Sequence, residues 1–278
     1  MGGKRVYGYR EGDRSEYLAQ FLLSRFSFVY PFPRQEDFGV ADFLCILGRI
    51  EKTVVFPEDG FYVQVKSNED DITYDKDAAS WISNHMDLPL LICVIDKKDS
   101  HLKMYSTSKS WVGLFKLHSP DTLVLRLNEG TNNGIAHVDR EKREIIVPIG
   151  DPILSWNSDE IESKPDICAE ILRPWLNLDK LNIARRSIGR IYCSGFVNWK
   201  PNEVPTEGFN QYTFGPGYPK AEKDLAQILT ALAHNYRHFK NKKSLEAVVS
   251  LMCNFPEHLD GHGEKFVSGE LGIEDETA

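Results

Sequence analysis

Asp42 is the one charged side chain in residues 40–47, a run otherwise apolar on both faces of an extended chain (Val40, Leu44 and Ile46 against Ala41, Phe43, Cys45 and Leu47). Such a pattern is that of a strand covered on both sides. A lone carboxylate there is costly unless something positive meets it. A short distance downstream, residues 61–67 alternate, so that Phe61, Val63 and Val65 point to one face of a second strand while Tyr62, Gln64 and Lys66 point to the other. One face is core, and the other carries an amide and an amine. Two partners for Asp42 follow from this: the Lys66 ammonium, giving an ion pair flanked by Gln64 in a fold without catalysis, or a metal ion.

The elements that must position these groups are legible around them. Residues 49–60 end in Pro57, Asp59 and Gly60, which predicts antiparallel neighbours joined by a hairpin with a long loop. Upstream, Leu18, Phe21, Leu22, Arg25 and Phe26 recur at helical spacing, predicting a helix over 11–26 with Asp13 or Ser15 as its cap. Glu16 lies on an adjoining face, one turn from Gln20, where the ordinary use of a carboxylate is a solvated first-turn charge favoured by the helix dipole. Residues 30–33, Y-P-F-P, stop that helix. Downstream of the second strand, a helix over 75–86 carries Trp81, residues 89–96 form an apolar run typical of a central strand, 101–106 a further strand and 108–117 a short helix. The order helix, strand, strand, helix, strand is that of an α/β core with helices on both sides of a mixed sheet.

This ordered set, a helical Glu16, then G-x-x-D ending in Asp42, then Q-V-K-S at residues 64–67 before a Trp-bearing helix, resembles the PD-(D/E)XK nuclease superfamily, the restriction-endonuclease-like fold, in its prokaryotic branch with Q-x-K in place of E-x-K. The resemblance spans residues 12–106 and departs from the usual pattern in two ways. The D-x-G-x-D spacing is one residue longer, Asp37 to Asp42, which leaves both acids as possible ligands, and the second acid is Gln64. The resemblance implies hydrolysis of DNA phosphodiester bonds with Mg2+, or Mn2+ in its place. The ion would be held by Asp42, the Gln64 side-chain oxygen and the main-chain carbonyl between Gln64 and Lys66, with Glu16 contacting it through water. Lys66 would orient the attacking water or stabilise charge on the transition state. It also implies a setting in restriction or anti-phage defence, with a helicase, ATPase or sensor subunit as partner. The alternative is a nuclease fold kept as a binding module without catalysis.

The rest of the chain sets bounds. At 278 residues it is long enough for one large domain or two, with 41% hydrophobic and 27% charged residues. A formal charge of -8 argues against an indiscriminate nucleic-acid binder, though basic residues concentrated at a cleft would still serve a nuclease. No apolar run nears the roughly 20 residues of a membrane helix, and the N-terminus lacks the apolar stretch of a signal peptide, so a cytoplasmic protein is expected. Cys45, Cys93, Cys168, Cys193 and Cys253 are scattered and read as buried reduced thiols. Strands are predicted at 122–127 and 143–149, and a change of composition near 150 divides the chain into a nuclease-like domain, 1–150, and a mainly helical one, 151–278, for recognition or partner binding.

In that second part helices are predicted at 166–175, ended by Pro174, and at 178–191, 221–239 and 245–253, with a mobile tail from 261. Arg185, Arg186 and Arg190 lie within two turns and, with Lys242 and Lys243, are candidate phosphate contacts; such charge runs more often simply face solvent. His234 and His238 stand one turn apart without a third ligand type beside them, which favours a solvated face over zinc. The aromatic loop holding Trp199, Phe209, Tyr212, Phe214 and Tyr218 either packs on the fold or stacks on bases.

Overall fold

The computed structural model describes residues 7–32, 40–51, 54–127, 135–187, 192–196, 199–205, 209–213 and 219–271. In chain order the elements are α1 (Tyr7–Leu23), β1 (Ser27–Pro31), β2 (Phe43–Glu51), β3 (Val54–Lys66), β4 (Ile72–Tyr74), α2 (Lys76–Asn84), β5 (Leu90–Asp96), β6 (His101–Ser106), α3 (Ser110–Lys116), β7 (Thr122–Leu127), β8 (His137–Asp139), β9 (Glu144–Gly150), β10 (Leu154–Asn157), α4 (Ser158–Ser163), α5 (Pro165–Ser187), β11 (Tyr192–Phe196), β12 (Phe209–Thr213), α6 (Pro219–His238), α7 (Lys242–Met252) and α8 (Gly261–Val267).

The protein is α/β, with mixed sheets flanked by helices and a helical C-terminal region. The larger sheet has the order β1-β2-β3-β5-β6-β10, and a second has the order β4-β7-β9-β8. In the larger sheet β3 and β5 are parallel, and every other neighbouring pair is antiparallel. The apolar run predicted as a central strand is β5, buried from Leu90 to Ile95. The alternation read in β3 is also present: Phe61 and Val63 are fully buried and join Phe43, Cys45, Leu91, Cys93 and Met104 in a core covered by Ala19, Leu22 and Leu23 of α1 and by Ile171, Leu172 and Trp175 of α5. On the other face Tyr62 meets Trp81 of α2, ring centroids 5.7 Å apart. Asp75 caps α2, its carboxylate accepting the Ala78 N–H.

Three expectations are revised. Residues 49–60 form no long loop; β2 and β3 pair from Phe43↔Val63 out to Glu51↔Val54. The turn formers are absorbed by a register shift between Leu47 and Gly48, where Asp59 faces Leu47 and Pro57 faces Gly48. A bulge is a place where a strand tolerates proline. It is pinned from α5, with Lys180 Nζ 2.5 Å and Arg173 Nε 3.3 Å from the Asp59 carboxylate. Second, Pro174 does not end a helix: α5 runs through it, because Cys168, Ile171, Leu172, Trp175 and Leu176 are all buried and their packing outweighs the lost backbone hydrogen bond. Third, the tail is not bare from 261. Asp260 caps α8 by accepting the His262 and Gly263 N–H groups, and Phe266 is buried.

The chain divides into two compact units, Met1–Ile183 with Tyr192–Tyr212, and Ala184–Ile191 with Thr213–Ala278. The division expected near residue 150 thus falls later. β10 pairs with β6, and buried residues of α4 and α5 share the core of β2 and β3, so these segments cannot be separated from the sheet. In the second unit α6, α7 and α8 enclose Leu229, Ala233, Leu245, Val248, Met252 and Phe266. No helix among the described residues is long and apolar enough to cross a membrane. Cys45, Cys93 and Cys168 are buried free thiols, with Cys45 and Cys168 pushed up to about 12 by burial. Cys253 is exposed, against expectation, since it caps the end of α7 rather than lying within its buried stripe. The side chain of Cys193 lies outside what is described.

Candidate functional site

Asp42 precedes β2 by one residue and sits where the ladder between β2 and β3 ends. Its backbone N–H donates to Val63 O at 2.8 Å, and its carbonyl accepts from Phe32 N at 3.0 Å. The next donor along β3 on that side, the Val65 N–H, finds no strand opposite. It donates instead to Asp42 Oδ2 at 2.6 Å. The carboxylate therefore replaces the missing main-chain acceptor and is fixed by it, a charge-assisted hydrogen bond stronger than a neutral one. A strand residue's N–H and C=O lie on the same edge, so the Val65 carbonyl borders the same split.

Gln64 and Lys66 flank Val65 on the face of β3 turned away from α1. Gln64 is only 8% exposed, and its Oε1 accepts the Tyr74 hydroxyl at 2.6 Å. Tyr74, the last residue of the short strand β4, is itself 2% exposed. Burial first, and then the nearby Asp42 carboxylate, hold its hydroxyl well above the usual phenol range, so it remains a proton donor. Turning the amide would leave that buried O–H without its acceptor, a loss of about 1–3 kcal/mol. Lys66 is half-buried at the last position of β3.

The structure thus places Asp42 against the Gln64-Val65-Lys66 segment of β3. Glu16 is half-buried on α1, one turn before Ala19, and α1 packs on the opposite face of the sheet. Asp37 lies outside the described residues. Tyr74 was not expected; its only sequence signal is the short alternation Ile72-Thr73-Tyr74 after the turn-like N-E-D-D. The metal implied by the resemblance can be tested against this donor set. A carboxylate, an amide oxygen and a backbone carbonyl are hard oxygen donors of the kind Mg2+ and Mn2+ take, and unlike a zinc site. Among the described residues no three His, Cys, Asp or Glu side chains are grouped to hold a metal. A site with a single carboxylate makes no such group, so the donor chemistry fits the ion while its negative charge is low.

One residue beyond Lys66 a cleft of about 550 Å3 opens at the carboxyl ends of the parallel pair β3 and β5, the usual place for a ligand in such a sheet. It is lined by Ser67, Asn68 and Glu69 after β3 and by Asp96, Lys97, Lys98, Asp99 and Lys103 of the β5–β6 hairpin. Lys103 is paired with Glu69, which also accepts the Tyr105 hydroxyl at 3.1 Å.

The other expected contacts belong to the second unit. Arg185 and Arg186 stand in the last turn of α5, where positive charge suits the helix dipole, and both have partners. Lys242 and Lys243 are exposed in the first turn of α7, where it does not. Arg190 lies outside the described residues. His234 packs edge-on against Phe266 at 4.8 Å and beside His262. Of the aromatic loop, Trp199 is buried against Trp175, ring centroids 5.0 Å apart, which answers for that residue in favour of packing. The side chains of Phe209 and Tyr212, and the whole of Phe214 and Tyr218, lie outside the described residues.

Comparison with protein-family models, with curated proteins and with solved structures finds no match to this chain.

Proposed function

We propose that the chain is a Mg2+-dependent endonuclease of the PD-(D/E)XK type, hydrolysing DNA phosphodiester bonds at the split between β2 and β3. The observation that carries this reading is the convergence of Asp42 and the Gln64-Val65-Lys66 segment on the open end of one antiparallel hairpin, held by the Val65 N–H to Asp42 Oδ2 bond. A hairpin whose first strand brings the Asp and whose second brings Q-x-K is the arrangement the resemblance implies. Asp42, Gln64 Oε1 and the Val65 carbonyl would hold the ion, which when bound polarises the scissile phosphate and lowers the pKa of its water. Lys66 stabilises the charge that grows on the phosphate oxygens as the attacking oxygen adds. The role implied for Glu16 has to be exerted from the α1 side, past the open end of β2. The cleft beyond Lys66 receives nucleotides flanking the cut, with Lys97 and Lys98 toward their phosphates.

With Gln64 neutral the site holds one negative charge fewer than its E-x-K counterpart, so millimolar metal is expected. Cytoplasmic location, a place in restriction or anti-phage defence, and control by a motor or sensor subunit belong to the same proposal and rest on family association. One observation favours the second reading, a nuclease fold that binds without cutting: the Asp42 carboxylate already has a partner in the Val65 N–H and does not require a cation to be tolerated.

Incubation of circular and linear duplex DNA, single-stranded DNA and RNA with the protein, in Mg2+, Mn2+ or chelator, separates the two. Metal-dependent cutting lost in Asp42→Ala and Lys66→Ala supports the nuclease. Binding of DNA without cutting in either metal supports the module.

A further inference from the structure

A glutamine in a cation site has a problem that a glutamate does not. A carboxylate offers oxygen whichever way it turns, whereas a carboxamide offers oxygen from one end and a repelling NH2 from the other. A turned amide would set that NH2 against the ion. Something in the fold has to hold the amide with its oxygen inward.

We infer that Tyr74 is that device: a positioning residue whose buried hydroxyl, 2.6 Å from Gln64 Oε1, fixes the direction of the amide and so makes Q-x-K competent to hold the ion. Both partners are buried, Gln64 at 8% and Tyr74 at 2% exposure, so water does not compete for the bond. A carbonyl-type oxygen accepts two hydrogen bonds, and the Tyr74 hydroxyl takes one of them; the second lone pair is the one a cation uses. The backbone of Tyr74 is fixed by pairing opposite Leu123, so the hydroxyl cannot follow a turned amide. The inference rests on the metal site proposed above.

The test is the Mg2+-induced rise in melting temperature, titrated in wild type, Tyr74→Phe, Gln64→Glu and the double variant; each shift is taken relative to the same protein without metal, so a general loss of stability cancels. Wild type is expected to be stabilised. Tyr74→Phe is expected to need about tenfold more Mg2+ for the same shift, as only a minor fraction of amides then points its oxygen inward. In the Gln64→Glu background, the same loss of the hydroxyl is expected to change the Mg2+ requirement less than about twofold, because a carboxylate has no wrong end. Tyr74→Leu provides the comparison again if the Phe variant does not fold. Equal weakening in both backgrounds overturns the inference and leaves the metal site standing, with Tyr74 merely structural. Absence of any Mg2+ effect in wild type and in Gln64→Glu removes the metal site, and the inference with it.

Discussion

Two carboxylates of the first unit, Asp42 at the β2–β3 split and Asp179 on α5, are treated by the fold in opposite ways. Asp42 is half-buried and accepts a backbone N–H at 2.6 Å. Asp179 is 1% exposed, accepts the Trp111 Nε1–H at 3.1 Å, and its Oδ2 has no hydrogen-bond partner among the described residues. Burial pushes Asp179 up to about 8, with the Trp111 bond opposing only in part. Burial thus favours its protonated, uncharged form, and its contribution is to structure. Asp42 sits at the open end of the β2–β3 ladder, against the Gln64-Val65-Lys66 segment proposed above to hold an ion. Burial alone therefore does not separate an acid that serves the fold from one placed at a candidate site.

The largest expected effect concerns Asp179 and pH. An acid whose folded-state value is raised favours the fold while protonated. Its contribution is full below the ordinary carboxylate range near 4 and is lost progressively as pH rises to about 8. Within that window one proton corresponds to about 1.4 kcal/mol per pH unit. Chemical denaturation from pH 5 to 9 is expected to show this decline in wild type and a flatter profile in Asp179→Asn, which keeps an acceptor for Trp111. An equal slope in both would remove Asp179 from the titration. Next in size, Trp111→Phe withdraws the indole donor from Asp179, and a loss of about 1–3 kcal/mol is expected at neutral pH. The smallest change is expected from Asp42→Asn. Its amide oxygen can still accept the Val65 N–H, so denaturation without metal is expected to shift by less than about 1 kcal/mol, while Mg2+ no longer stabilises the protein. A large loss of metal-free stability would make Asp42 structural, like Asp179.

The parts of this arrangement that local pattern carries were readable in the chain. The alternation of Phe61 to Lys66, the lone charge at Asp42, the apolar run of β5 and the helix expected over 75–86 each follow from spacing within one element. What pairing over distance decides was not readable. β1 looked like a helix stop because Tyr30-Pro31-Phe32-Pro33 is full of breakers, yet its residues pair with Phe43 to Leu47 at the sheet edge. Pro57 and Asp59 spelled a loop until Arg173 and Lys180, more than 100 residues away, fixed the bulge that holds them. Nothing in the residues around Asp179 marks it as buried, and only Trp111, 68 positions earlier, reveals that it is sealed. Tyr74 escaped for the same reason: a three-residue strand has too little pattern of its own, and its partner Gln64 belongs to another sheet.

The comparison and the proposed function meet in one measurement, relaxation of supercoiled plasmid by the full chain in Mg2+, with wild type, Asp42→Asn, Lys66→Ala and Asp179→Asn side by side at pH 7. Wild type and Asp179→Asn are expected to cut at similar rates, while Asp42→Asn and Lys66→Ala fall by about 100-fold or more and chelator abolishes the reaction. Cutting by Asp42→Asn at the wild-type rate, or cutting that chelator leaves intact, would contradict the assignment of the site to the β2–β3 split.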